Sequence, residues 1–97
     1  MIINKNKIVA VGDVITLKLT SGEEIVARLE DVDDTHYILG KPMVIGMGQQ
    51  GPGLMPYLFT VAPTQDIPLL KSTVTVAVNT EKDFANQYLQ STTGIIL

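Results

Sequence analysis

The residues able to do chemistry concentrate between positions 31 and 37. Asp31, Asp33 and Asp34 surround a turn, and His36, the only histidine of the 97-residue chain, precedes Tyr37. Three carboxylates this close could offer oxygen ligands to a hard cation, but the spacing of an EF-hand and its closing Glu are missing, so no metal is expected. Asp33 is better suited to closing its own turn, because a short carboxylate reaches backbone N–H groups two residues on. One histidine among scattered acids forms no Ser-His-Asp arrangement, no pair of carboxylates across a cleft and no HExxH. The glycine-rich stretch 46–53 is followed by a strand pattern and not by a helix, which removes a phosphate cradle. There is no cysteine, hence no thiolate site and no disulfide. The expectation is a protein that is not an enzyme and carries no cofactor.

Alternating β patterns position this cluster from both sides. Ile15, Leu17 and Leu19 alternate with Thr16, Lys18 and Thr20, the period of a strand with one buried face. Ser21-Gly22 supplies the tight connection, after which Ile25, Ala27 and Leu29 alternate with Val26, Arg28 and Glu30 up to the acidic turn at 31–35. A third run from His36 to Ile45 contains Gly40 and Pro42, so it is expected to bend or bulge. Residues 46–53 read as a flexible loop, 57–62 as a strand, 63–66 as a kink and 67–71 as its continuation. Val74, Val76 and Val78 then share one face of a clean strand at 73–78.

Thr80-Glu81-Lys82-Asp83 resembles a capping sequence. It opens a helix over about 80–93 with Phe84, Ala85, Tyr88 and Leu89 on one face. Gly94 would close it, followed by the apolar Ile95-Ile96-Leu97. Residues 1–11, with Lys5 and Lys7, read as a frayed or edge strand. The whole describes a single domain, 1–97, of the all-β class: a small, bent, five-stranded antiparallel barrel over about 13–78, with one C-terminal helix plugging an open side.

Charge constrains the partners. The net charge is −3, and six acids fall between positions 23 and 34. Proteins that bind nucleic acid along a broad surface carry a basic footprint, so any such binding here must be local and shielded from that acidic hairpin. Only 18% of residues are charged against 45% hydrophobic, which leaves apolar surface that a monomer covers poorly. Barrel edges are templates for a second chain, so edge-to-edge self-association is expected. No apolar run reaches the length of a membrane span, and residues 1–8 lack the apolar stretch of a signal peptide. A cytoplasmic location is the default expectation.

The order of these motifs resembles the Sm/LSm family. Ile15, Leu17, Leu19, Gly22, Ala27, Leu29, Val32 and Asp33 follow its first motif, and Leu69-Leu70-Lys71-Ser72-Thr73-Val74-Thr75-Val76 follows its second. The chain departs from the pattern at several points. The Met-Asn after the turn Asp is absent, with His36-Tyr37 nearby, and Ala27 stands where the family has glycine. Lys71-Ser72 replaces the Arg-Gly turn, as in the bacterial RNA-chaperone branch, and the helix is C-terminal and not N-terminal. The departures resemble a divergent branch of the family, similar to the small Sm-like proteins of tailed phages.

The resemblance implies a homo-oligomeric ring of about five to seven subunits, built by pairing the fourth strand of one subunit with the fifth of the next. It further implies that the two motif turns meet near the pore and bind single-stranded, uridine-rich RNA. In that reading Tyr37 stacks on a base, His36 or Asp33 reads its edge, and Lys71, with Ser72 beside it, meets phosphate. The competing expectation is a structural or protein-interaction module on the same barrel, such as a phage assembly component with no nucleic-acid role. A monomeric peptide-binding barrel would need an aromatic groove, for which only five aromatic residues are present.

Overall fold

A computed structural model of the chain describes residues 9–93. Its elements are β1 (Val14–Leu19), β2 (Glu24–Val32), β3 (His36–Gly48), β4 (Gly51–Pro56), β5 (Ile67–Leu70), a 3-10 turn (Lys71–Thr73), β6 (Val74–Asn79) and α1 (Lys82–Thr93). The protein is thus mostly β, with one antiparallel six-stranded sheet ordered β4-β3-β2-β1-β6 and β5 paired to β3. The expected hairpin of β1 and β2 pairs Ile15 with Ala27 and Leu17 with Ile25, so the alternating residues fall on one face. Ile15, Leu17, Ile25, Ala27, Leu29 and Leu39 are fully buried there, and Leu69 of β5 joins the same cluster. Truncating Leu17 or Leu29 to Ala would cost about 2–5 kcal/mol, the range for emptying a filled core position.

β3 bends where glycine and proline predicted it. Val26 faces Met43 while Arg28 faces Gly40, so Lys41 and Pro42 bulge opposite Ala27, and Lys41 adopts a left-handed φ of 49°. This long strand serves two partners on one edge. Its first residues, His36 to Leu39, pair with β5, and Met43 to Gly48 pair with β4.

Three expectations are corrected. Residues 46–53 do not form a loop: they are the outer part of the β3–β4 hairpin, which turns at Gln49-Gln50. Residues 57–62 form bends and no strand, and β5 starts afresh at Ile67 rather than continuing them. The sheet accordingly has six strands and not five. Cross-strand pairing overrode local composition, since Gly46, Gly48, Gly51 and Gly53 are held by ladder bonds whatever their weak strand preference. Among the described residues no helix is long and apolar enough to cross a membrane.

The C-terminal helix is present as expected, with a different cap. The Glu81 carboxylate, and not Thr80, accepts the N–H groups of Asp83 at 2.8 Å and Phe84 at 3.0 Å. Thr80 instead shares a 2.8 Å hydroxyl contact with Thr16 of β1. The helix is pinned to the bulge by Tyr88, which is 1% exposed. Its Oη accepts the Arg28 N–H at 3.2 Å and lies 2.9 Å from the carbonyls of Gly40 and Lys41, donating to one of them. Burial raises the Tyr88 phenol to about 12. Lys41 Nζ donates to Thr92 O at 3.0 Å, placing a cation at the negative end of the helix. The proposed roles of residues 1–8, including Lys5 and Lys7, and of Gly94, Ile95, Ile96 and Leu97 lie outside the described residues.

Candidate functional site

Two turns separated by more than thirty positions in sequence meet at one end of the sheet. The first joins β2 to β3, and Asp33 shapes it. Its Oδ1 accepts the N–H of Thr35 at 2.9 Å and of His36 at 2.7 Å, and the Asp33 N–H donates to His36 O at 3.0 Å. The Thr35 N–H above all, then that of His36, holds the Asp33 carboxyl below its ordinary value. The second is the 3-10 turn joining β5 to β6, fastened by the Thr73 hydroxyl donating to Leu70 O at 2.7 Å. A backbone bond from Lys71 N–H to Thr35 O at 2.8 Å ties the turns together. It extends the register in which His36 faces Leu70 and Tyr37 faces Leu69.

The side chains divide into two groups. Lys71 Nζ stands 5.4 Å above the Tyr37 ring, a cation–π contact of about 0.5–1 kcal/mol at an exposed site. Tyr37 itself is half-buried and packs against the core cluster, so its ring is fixed rather than free to swing. His36 precedes Tyr37 in an extended strand, and the two side chains therefore project to opposite faces. The His36 Nδ1 is 2.7 Å from the Thr35 hydroxyl and 3.7 Å from Asp33 Oδ1. Ser72 is exposed beside Lys71. The structure therefore joins Tyr37 with Lys71 and Asp33 with His36, and the two pairs meet only through the backbone.

Thr35 is the residue that sequence reasoning passed over. Its carbonyl takes Lys71, its N–H and hydroxyl take Asp33, and its hydroxyl touches His36. An Asp followed two positions later by Thr is the local signal for such an Asx turn. The electrostatics are mixed: Asp31 at the end of β2 and Asp33 and Asp34 on the turn are all exposed, and the backbone bond from Lys71 to Thr35 ties a cation to this acidic segment. Such a site suits a neutral planar group over Tyr37 with one phosphate at Lys71, and disfavours a run of phosphates. No family model matches the chain, and no curated protein matches it.

Proposed function

We propose that the chain forms an Sm-like, SH3-like barrel that assembles edge to edge into a homo-oligomeric ring and takes single-stranded, uridine-rich RNA at the meeting of its two turns. The observation that carries this reading is the Lys71-to-Thr35 backbone bond with Lys71 poised over Tyr37. Stacking of a base on an aromatic ring contributes about 1–3 kcal/mol, more than the cation–π contact it would displace. Displaced from the ring, Lys71 is free to meet the phosphate of the same nucleotide. Repetition of one weak site around a ring supplies avidity without a basic surface, which reconciles RNA binding with a net charge of −3.

The strand edges support the ring. Thr80 N–H donates to Val14 O, and Thr16 faces Val78 while Lys18 faces Val76. The ladder alternation then turns the N–H groups of Ala77 and Asn79 away from β1, toward an open edge. On β5 the same reasoning from the Lys71-to-Thr35 bond turns Pro68 and Leu70 outward. Pro68 offers no N–H there, but its carbonyl remains an acceptor. Both edges thus present outward N–H and C=O groups, apart from the N–H that Pro68 lacks, so each can pair with a strand of a second copy.

A second reading, a structural or protein-interaction ring with no nucleic-acid role, is favoured by the exposed acids on the turn next to Lys71. Native mass spectrometry with and without a short oligouridine separates the two. A closed ring that gains RNA mass, and loses that gain in Lys71→Ala with Tyr37→Ala while keeping its subunit number, is the expected result. A ring that ignores RNA selects the structural reading, and a monomer removes the ring.

A further inference from the structure

Val32, the last residue of β2, faces Tyr37 across the β2–β3 ladder, and Tyr37 in turn faces Leu69 of β5. Residues directly opposite one another share a face of the sheet, so Val32, Tyr37 and Leu69 form one row across three strands. The hydrogen bonds fix how close the first two stand. Asp33 N–H donates to His36 O, which makes 33 and 36 a hydrogen-bonded pair. The alternation of an antiparallel ladder then makes 32 and 37 a non-hydrogen-bonded pair, the kind whose side chains stand closest. In agreement, the Val32 N–H is free of β3 and donates to the Asp31 carboxylate at 2.8 Å.

The row runs from buried to open. Leu69 is 9% exposed and Val32 is 37% exposed, although Leu29 earlier on β2 is fully buried. β1 pairs with β2 only as far as Val14 opposite Arg28, so the end of β2 extends past it. Val32 is therefore an apolar shelf at the rim of the core, with the Tyr37 ring on one side of it. Asp31, its neighbour in the strand, projects to the opposite face, which keeps that carboxylate off the shelf.

The consequence concerns which base the site takes, and it rests on the RNA reading given above. Lys71 reaches the Tyr37 ring from the β5 side. A phosphate held by Lys71 puts the sugar on that side and the far edge of the stacked base on the β2 side, over Val32. The far edge of a pyrimidine carries a polar group at C4 and a carbon at C5. Valine neither donates nor accepts a hydrogen bond, so a polar group covered by it loses water without replacement. The C5 edge escapes that cost. Apolar side chains contact the thymine methyl on duplex DNA for the same reason. We propose that Val32 is a specificity-determining residue of this site and selects pyrimidines methylated at C5, so that 5-methyluridine binds more tightly than uridine.

Two labelled short oligoribonucleotides, one of uridine and one of 5-methyluridine, are titrated by fluorescence anisotropy. The ratio of their dissociation constants is the readout. It compares two ligands on one protein, so a general loosening of the turn cancels. The parent is expected to favour the methylated RNA by about fourfold, the worth of one covered methyl. Val32→Ser removes the shelf and is expected to lower this preference by about twofold or more. Val32→Ile keeps the shelf and is expected to keep the preference. Equal affinities in the parent, or a preference undiminished in Val32→Ser, would overturn the inference while leaving RNA binding in place. A parent that binds neither RNA overturns the inference together with the reading beneath it.

Discussion

Asp33 and Tyr88 illustrate how single side chains set this molecule's response to pH. The N–H groups of Thr35 and His36 keep the folded Asp33 carboxyl below its ordinary value of 3.8. Its stabilising contribution is therefore complete above that value and is lost as pH falls through the lowered folded one. Asp33→Ala should melt below the parent from pH 5 to pH 7, about the range where the carboxylate is ionised in both states. The gap should shrink on further acidification, as read by melting temperature against pH. Tyr88 behaves in the opposite sense. Its folded value of about 12 lies above the ordinary 10, so its contribution is complete below pH 10 and declines as pH rises through about 12. Tyr88→Phe leaves the Arg28 N–H and a bulge carbonyl unpaired and should cost about 1–3 kcal/mol at neutral pH. The difference from the parent should narrow in alkaline denaturant titrations. Asp33 was legible in the sequence as a turn residue. The anchoring role of Tyr88 was not, because its partners are backbone groups at 28, 40 and 41, positions that no helical periodicity connects to residue 88.

At the scale of elements, the β1–β2 hairpin and the bend in β3 were readable because their signals are local. Alternation sets the buried face, and Gly40 with Pro42 marks where the ladder breaks. β4 was unreadable for the converse reason. Four glycines and two prolines between 46 and 56 are the composition of a loop, and only pairing against β3 turns them into a strand. The prolines then act as guards. Replacing Pro52 and Pro56 together with Thr restores two outward N–H groups to the β4 edge, an exposed template for strand addition. The double variant should aggregate faster than the parent on mild heating, followed by light scattering and thioflavin fluorescence. An unchanged rate would mean that this edge is covered by other means.

For the whole molecule, the two edges of the sheet differ in what they offer a second strand. β4 is blocked by proline, whereas β6 presents the N–H groups of Ala77 and Asn79 with no proline in the strand. Ala77→Pro removes one outward donor without touching the ladder to β1, and proline is tolerated at such edge positions. It should reduce the proposed ring to monomers in sedimentation velocity while the far-ultraviolet circular dichroism stays that of the parent. A ring that survives this change places its contacts elsewhere. The long dimension of 43 Å is comparable with the span of β3 at about 3.3 Å per residue. The acidic turn precedes β3 and the uncharged β3–β4 ribbon forms its far end, so one strand joins the candidate RNA site to the ribbon.

The sequence by itself determined the β class, the first hairpin, the bend at Gly40 and Pro42, and a helix after the last strand. Each of these rests on periodicity or on φ preferences that act within a few residues. Only the tertiary structure decided that residues 51–56 pair, that 57–62 do not, and that Lys71 reaches both Thr35 and Tyr37. Those outcomes depend on contacts between segments more than thirty residues apart or on a ladder partner already in place. Local pattern carries no information about such partners until the chain has closed on itself.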